Sequence, residues 1–367
     1  MDDDIENVHR VEALLINYIM YKSAVVTLEL MRKLLPLAIL FIILASISYA
    51  FLYLHLRSSF PSSSTFPHES HDNANSSESL ASNSQVLYLS PSNSSASFTI
   101  LGRYQSDSAY SMSEVYTPDG SLLISPFIWN MKYAEGYLNM TYHGSTLNVD
   151  INLTHFKPIT PTISVDGYPG VMYGQECWFP FAGKSVSPIL KLPTPVEGLP
   201  QTESYLTYRL WVKNGSIHDF SYDIWLTQNP NVTYLEYPDV EIMIWLYHQA
   251  NITSKYYVYE GEITERAIVN GTEMNLTFSV YVLSHTGSSN GWIGVYYLSH
   301  QQLEGEVGVP LTDMIQASFH FIDRVFPNLN ESSFYLDAIQ AGMEFSNDIT
   351  GTAVMGYSLY NWTIQIG

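Results

Sequence analysis

Residues 239–246 read DVEIMIWL, and six of the eight are apolar. The run has the character of a buried β-strand, except that Glu241 sits inside it. A lone carboxylate is costly to bury unless it is paired or put to use. Side chains alternate along a strand. Val240, Ile242, Ile244 and Leu246 then form one apolar face, and Glu241, Met243 and Trp245 form the other. A carboxylate, a thioether and an indole in a row suit the floor of a ligand cleft laid over a sheet whose back is core. The bland alternative is a half-buried glutamate paired with a cation.

The strand before it reads DFSYDIWLT, from 219 to 227. Phe220, Tyr222, Ile224 and Leu226 share its core face. Asp219, Ser221, Asp223, Trp225 and Thr227 share the other. A hairpin centred near Val232 would set Asp223 opposite Glu241, at about 5 Å. Carboxylates that close cannot both ionise freely, so one pKa rises. A catalytic site has a use for such a pair, and a structural protein does not. A further acid, Glu344, lies in AIQAGMEFSNDITGTA (338–353), another largely apolar stretch. Glu260 and Glu262, in YEGEITER, read instead as charges on a solvated hairpin.

Four stretches resemble, in order and spacing, the motifs of family 12 glycoside hydrolases. They are YPGVMYG (168–174), FSYDIWL (220–226), EIMIWL (241–246) and GMEF (342–345) with a following TG. The resemblance runs from Leu122 to Gly367. It implies an all-β fold, a β-jelly-roll sandwich of two antiparallel sheets with a concave substrate cleft. It also implies an endo-β-1,4-glucanase acting on cellulose-type β-glucans. Matched position by position, Glu241 is the nucleophile, Glu344 the acid/base and Asp223 the aspartate that hydrogen-bonds the nucleophile. Met243 and Trp245 match cleft residues beside the nucleophile. Trp129, in FIWNMKYAEG, matches a sugar-stacking tryptophan. Two carboxylates suffice for retaining hydrolysis, so no metal or organic cofactor is expected. Two alternatives stay open. One is a xylanase or xyloglucanase of the same mechanism. The other is a non-catalytic carbohydrate-binding or surface-layer jelly roll, which has no use for the three acids together.

Composition agrees with a β protein. The chain has 367 residues, 46% of them hydrophobic and 28 of them Tyr. Aromatic and β-branched residues favour strands. From 98 to 367, short alternating runs are punctuated by Gly, Pro and Asn, as in a sandwich or barrel. Val309–Phe326 has the spacing of one helix. A net charge of −20, with 15 Lys plus Arg, argues against a nucleic-acid partner. Cys177 is the one cysteine, so no intramolecular disulfide forms, and a buried inert thiol is expected. The enzyme is expected to be a monomer.

The N-terminal part reads differently. Residues 1–30 are a loosely amphipathic extension that precedes Met31, itself a natural start. Residues 31–57 carry Arg32 and Lys33 and then an uncharged run from 34 to 54, suited to a signal peptide or membrane anchor. Residues 58–97 hold 16 serines in 40 positions and read as a disordered linker. His68 and His71 within it read as solvated rather than metal-bound. Eleven Asn-X-Ser/Thr sites occur, at Asn75, Asn93, Asn139, Asn152, Asn214, Asn231, Asn251, Asn270, Asn275, Asn330 and Asn361. Chance gives about four, so a glycosylated protein is expected outside the cell, secreted or anchored to the membrane's outer face. Trp178, Trp211, Trp225, Trp292 and Trp362 suit a sugar cleft, but core packing is the simpler reading of each.

Overall fold

Alternation in the sequence becomes alternation of burial. Along TLNVDINLTHFKP, Leu147, Val149, Ile151 and Leu153 are buried, while Asn148, Asp150 and Asn152 between them are exposed. The computed structural model describes residues 85–89, 95–103, 115–116, 121–175, 177, 187, 189–231, 234–254, 256–283 and 291–367. Contacts divide the chain into Met1–Glu78 and Ser79–Gly367, and the described residues all lie in the second unit. The extension, the apolar run 34–54, and His68 and His71 fall outside the described residues. Among the described residues, no helix is long and apolar enough to cross a membrane.

The strands, in chain order, are β1 (Gln85–Tyr88), β2 (Ser95–Arg103), β3 (Val115–Tyr116), β4 (Leu123–Ser125), β5 (Met131–His143) and β6 (Thr146–Pro158). Next come β7 (Gly170–Gly174), β8 (Thr194–Pro195), β9 (Thr202–Asn214), β10 (Ser216–Thr227), β11 (Val240–His248) and β12 (Tyr257–Val269). The last are β13 (Thr272–Leu283), β14 (Ile293–Ser299), β15 (Gly305–Pro310), β16 (Tyr335–Ser346) and β17 (Ala353–Ile366). The helix α1 (Leu311–Val325) falls within the stretch read as helical from the sequence.

Hydrogen bonds join the strands into one ladder. One half runs β4–β7–β16–β10–β11–β14–β13–β12. The other runs β15–β9–β17–β6–β5–β2. The halves meet at a short seam, where Ile268 and Val269 of β12 face Gly308 and Val307 of β15. The two sheets expected from the sequence are thus one sheet folded over on itself. The pairing of β11 with β14 is parallel, because the β12–β13 hairpin intervenes as a crossover.

The halves pack face to face. Phe220 of β10 stacks on Tyr208 of β9 at 4.0 Å and meets Tyr357 of β17 edge-on at 5.1 Å. The Tyr222 hydroxyl donates to Ser204 Oγ at 2.9 Å, and Trp362 Nε1 donates to the same oxygen at 3.0 Å. Trp362 is thereby a core residue. Helix α1 covers β14, whose buried Tyr297 hydroxyl donates to Met314 O and pairs with Ser318 Oγ.

One boundary differs from the composition-based reading. β1 lies inside the stretch read as linker, and it pairs with β17 from Gln85↔Ile366 to Tyr88↔Thr363. The short apolar pattern QVLYL outweighs the surrounding serines, because Leu87 and Leu89 are buried in the main core.

Candidate active site

Three neighbouring strands carry the acids. β10 lies between β16 and β11. Its core face is Phe220, Tyr222, Ile224 and Leu226, as the alternation predicts, and all four are buried in the main cluster. Its other face presents Asp219, Ser221, Asp223, Trp225 and Thr227. Opposite these, β16 presents Glu344 to Asp219, Gly342 to Ser221, Gln340 to Asp223 and Ala338 to Trp225. On the other side, β11 presents Trp245 to Ser221, Met243 to Asp223 and Glu241 to Trp225. Glu241, Glu344, Asp223, Met243 and Trp245 therefore share one face.

The hairpin register differs from the expected one. Glu241 faces Trp225, and Asp223 faces Met243, so the two acids are diagonal rather than directly opposed. The register is shifted by two residues along β11. Asp239 fixes it there, because its carboxylate accepts the backbone N–H of Gln228 (3.2 Å) and of Glu236 (3.0 Å).

Glu241 is 8% exposed, yet it has partners. Trp292 Nε1 donates to its Oε2 at 2.9 Å, and the Tyr296 hydroxyl donates to the same oxygen at 2.5 Å. No cation is involved in either bond. Burial raises its pKa, the two donors pull it down, and the charge of Asp219 pushes it up. Donated hydrogen bonds favour the ionised form. Around it, Tyr168, Met243, Trp245, Tyr296 and Leu298 form a buried apolar cluster. Tyr168 reaches across position 342 to donate to Ser221 O at 3.0 Å, and Gly342 leaves it room.

Glu344 sits in different surroundings. Its pKa is raised well above the carboxylate range, first by burial and then by the charge of Asp219. A hydrogen bond to Asp219 and the charges of Glu241 and Asp223 act the same way. Asp219 is fully buried and accepts from Ser221 Oγ at 2.6 Å. His218 Nδ1 completes this group, 3.2 Å from Asp219 Oδ2 and 3.4 Å from Glu344 Oε2. Both pKa values are thus raised on balance, but Glu241 has two donors that pull its value down, whereas the neighbouring acids push Glu344 further up. Environments that push two acids apart are how acid and base roles are divided.

Sequence reasoning placed Asp219 on this face but gave it no role; it named Trp292 among aromatics suited to a cleft, without its bond to Glu241, and missed His218 and Tyr296. Trp129 is half-buried in the turn before β5. Phe127, two residues earlier, is the residue of that segment that packs on the Tyr168–Met243–Trp245 cluster. Trp225 is fully buried beneath Trp292, with ring centres 5.5 Å apart. Cys177 is buried in the same group with Leu123, Met172 and Leu235. Trp178 lies outside the described residues. Trp211 is exposed on β9, away from this face.

Among the described residues, one group of His, Cys, Asp and Glu is close enough to share a cation. It is His218, Asp219 and Glu344, whose ligand atoms lie within 4.8 Å of one another. These are the contacts of His218 Nδ1 with the two acids described above.

Residues 121–367 match glycosyl hydrolase family 12. Among curated proteins, none matches the chain. Solved structures do. A native family 12 xyloglucanase from Bacillus licheniformis superposes with a TM-score of 0.50 at 16% identity, covering 75% of this chain and 100% of that one. A metagenome-derived glycoside hydrolase family 12 endoglucanase superposes with a TM-score of 0.50 at 16% identity, covering 76% and 99%. At such identity the likeness is one of fold, the β-jelly-roll.

Proposed function

Since the chain belongs to glycosyl hydrolase family 12 and is a glycoside hydrolase directed at polysaccharides, we propose that it is a retaining endo-β-1,4-glucanase with Glu241 as nucleophile and Glu344 as acid/base. One observation carries the reading. Two carboxyls share a face: buried Glu241, which accepts from Tyr296 and Trp292, and partly buried Glu344, whose pKa is raised well above the carboxylate range beside Asp219.

In the first step a Glu241 oxygen attacks the anomeric carbon. The bond to the leaving sugar's oxygen breaks, and that oxygen takes the proton of Glu344. In the second step Glu344, now a carboxylate, takes a proton from water. The water oxygen attacks the anomeric carbon, and the bond to Glu241 breaks. Both carboxyls return to their starting states. Asp223, diagonal to Glu241, is proposed to orient it and tune its pKa, and it lines the floor with Met243 and Trp245. Trp129 is proposed to stack on a sugar further along the cleft. The reaction needs no cofactor, and the activity is proposed to lie outside the cell, on the strength of the 34–54 run and the eleven sequons.

A reducing-sugar assay on carboxymethylcellulose, xyloglucan and xylan tests this. The expected result is release of ends from carboxymethylcellulose at the highest rate, abolished in Glu241→Gln. Release from none of the three would leave a binding protein. Xyloglucan or xylan as the preferred polymer would move the substrate while keeping the mechanism.

A further inference from the structure

His218 touches the proposed acid/base, and the two steps above make no use of it. Its place follows from an irregularity in β10. Ile217 pairs with Phe345 and Asp219 with Glu344, so two steps along β10 meet one along β16, and His218 is the extra residue. A bulge of this kind bends the strand and re-aims a side chain. Consecutive residues ordinarily point to opposite faces of a sheet. Here His218 and Asp219 end on the same side, and Nδ1 meets both Asp219 Oδ2 and Glu344 Oε2. The ring is largely buried, and its orientation is held by an edge contact with Trp245 at 5.3 Å.

Among the described residues, no Lys or Arg pairs with these acids. Asp219 and Asp223 of β10, Glu241 of β11, Tyr257 of β12 and Tyr296 of β14 all face the pair, and each adds negative charge or can only become negative. His248 of β11 approaches Trp245 from the other side, but its ring nitrogens are engaged by Ala250 O and Ser299 O. Among the described residues, His218 is the basic side chain in contact. Asp219 Oδ1 accepts from Ser221 Oγ, and Nδ1 lies beside Asp219 Oδ2 and Glu344 Oε2, so it faces carboxyl oxygens and is assigned a hydrogen. When Glu344 gives its proton to the leaving oxygen, two anions are left side by side. Such a pair is costly in a buried site.

We propose that His218 is a positioning residue for Glu344: it donates Nδ1–H to the Asp219–Glu344 pair, orients the acid and offsets the charge left when the proton departs. The proposal rests on the retaining reading of Glu344. It differs from a packing role in one readout. Removing a donor that favours the anionic form raises the pKa at which Glu344 releases its proton.

His218→Phe and His218→Asn, with Glu344→Gln beside them, are compared with the parent on a soluble β-1,4-glucan, with thermal melts. His218→Phe is expected to lose about tenfold or more in kcat, with KM within about twofold. Its pH–kcat profile is expected to move to higher pH by roughly half a unit or more. His218→Asn restores a donor near Nδ1 and is expected to recover part of both effects. A profile unmoved in His218→Phe overturns the proposal, whether kcat is kept or falls together with the melting temperature. Glu344→Gln separates the two levels. If it stays active, the acid/base assignment itself fails. If it is inactive while the His218→Phe profile is unmoved, His218 alone loses its role.

Discussion

Tyr296 reaches Glu241 because residue 294 has no side chain. Gly294 pairs with Glu241 across β11 and β14, and a Cβ there would overlap the Tyr296 ring. Gly294→Ala and Tyr296→Phe are therefore expected to act alike. Each removes a charge-assisted hydrogen bond, so kcat falls about tenfold to a hundredfold. Loss of that donor also raises the Glu241 pKa, and the acid limb of the profile moves to higher pH. An unmoved acid limb in both variants would detach Tyr296 from the nucleophile. Glu241→Gln and Glu344→Gln should keep the fold by circular dichroism and lose about a thousandfold or more in turnover, since a carboxamide neither attacks nor cycles a proton. Residual activity of several per cent in a preparation free of deamidated enzyme would contradict that. These glutamates were legible in the sequence because each interrupts an apolar run. Tyr296 was not, since one Tyr among 28 in an aromatic-rich chain stands out from nothing. His218 was hidden for another reason: strict alternation places it on the face opposite Asp219, and only the bulge brings the two together.

The β10–β11 connection shows what a single element contributes. Thr227 Oγ1 lies 2.6 Å from Asp337 Oδ2 and 2.9 Å from Asn229 O. The hydroxyl donates to Asp337, a bond that by itself favours the ionised carboxylate. Asp337 is fully buried, and burial pushes its pKa up to about 7, with the charge of Asp239 adding to the rise. An acid raised in the folded state destabilises the fold as pH climbs. Below about pH 4 both states hold the proton, and between about 4 and 7 only the folded state does. Asp337→Asn is expected to lose less stability between those limits than the parent, by up to about 4 kcal/mol. Urea unfolding at pH 4 and pH 7.5 measures it, and equal losses in the two proteins would mean that Asp337 ionises freely. Packing across the layers is read on the same strand: Phe220→Ala should cost about 3–5 kcal/mol, because it empties a site stacked on Tyr208. The strand faces and the helix were legible because their periods are short and local. The hairpin register was not, since it depends on Asp239 binding two backbone amides inside the loop, and composition hid β1 behind its serines.

For the molecule as a whole, buried acids set the working range. Burial lifts Asp166 to about 6 and Asp337 to about 7, and Glu344 is raised well beyond the ordinary range. Residues 98–367 hold 26 acidic and 10 basic groups, a net of −16. Protonating the acids leaves few positive charges to repel one another, so acid unfolding lacks its usual drive. Both effects point the same way: the melting temperature should be higher at pH 5 than at pH 8. The reverse order would mean that these acids are ionised in the fold at no cost. The jelly roll and its pair of glutamates could be read from four motifs, whereas the folding of one ladder across the β12–β15 seam involves long-range pairing that no local period records. The central claim is double displacement at Glu241, and proton NMR of the first products from a soluble β-1,4-glucan, taken before mutarotation, tests it most directly. The account predicts the β-anomer first; the α-anomer first would mean direct attack by water and would remove Glu241 from its role as nucleophile.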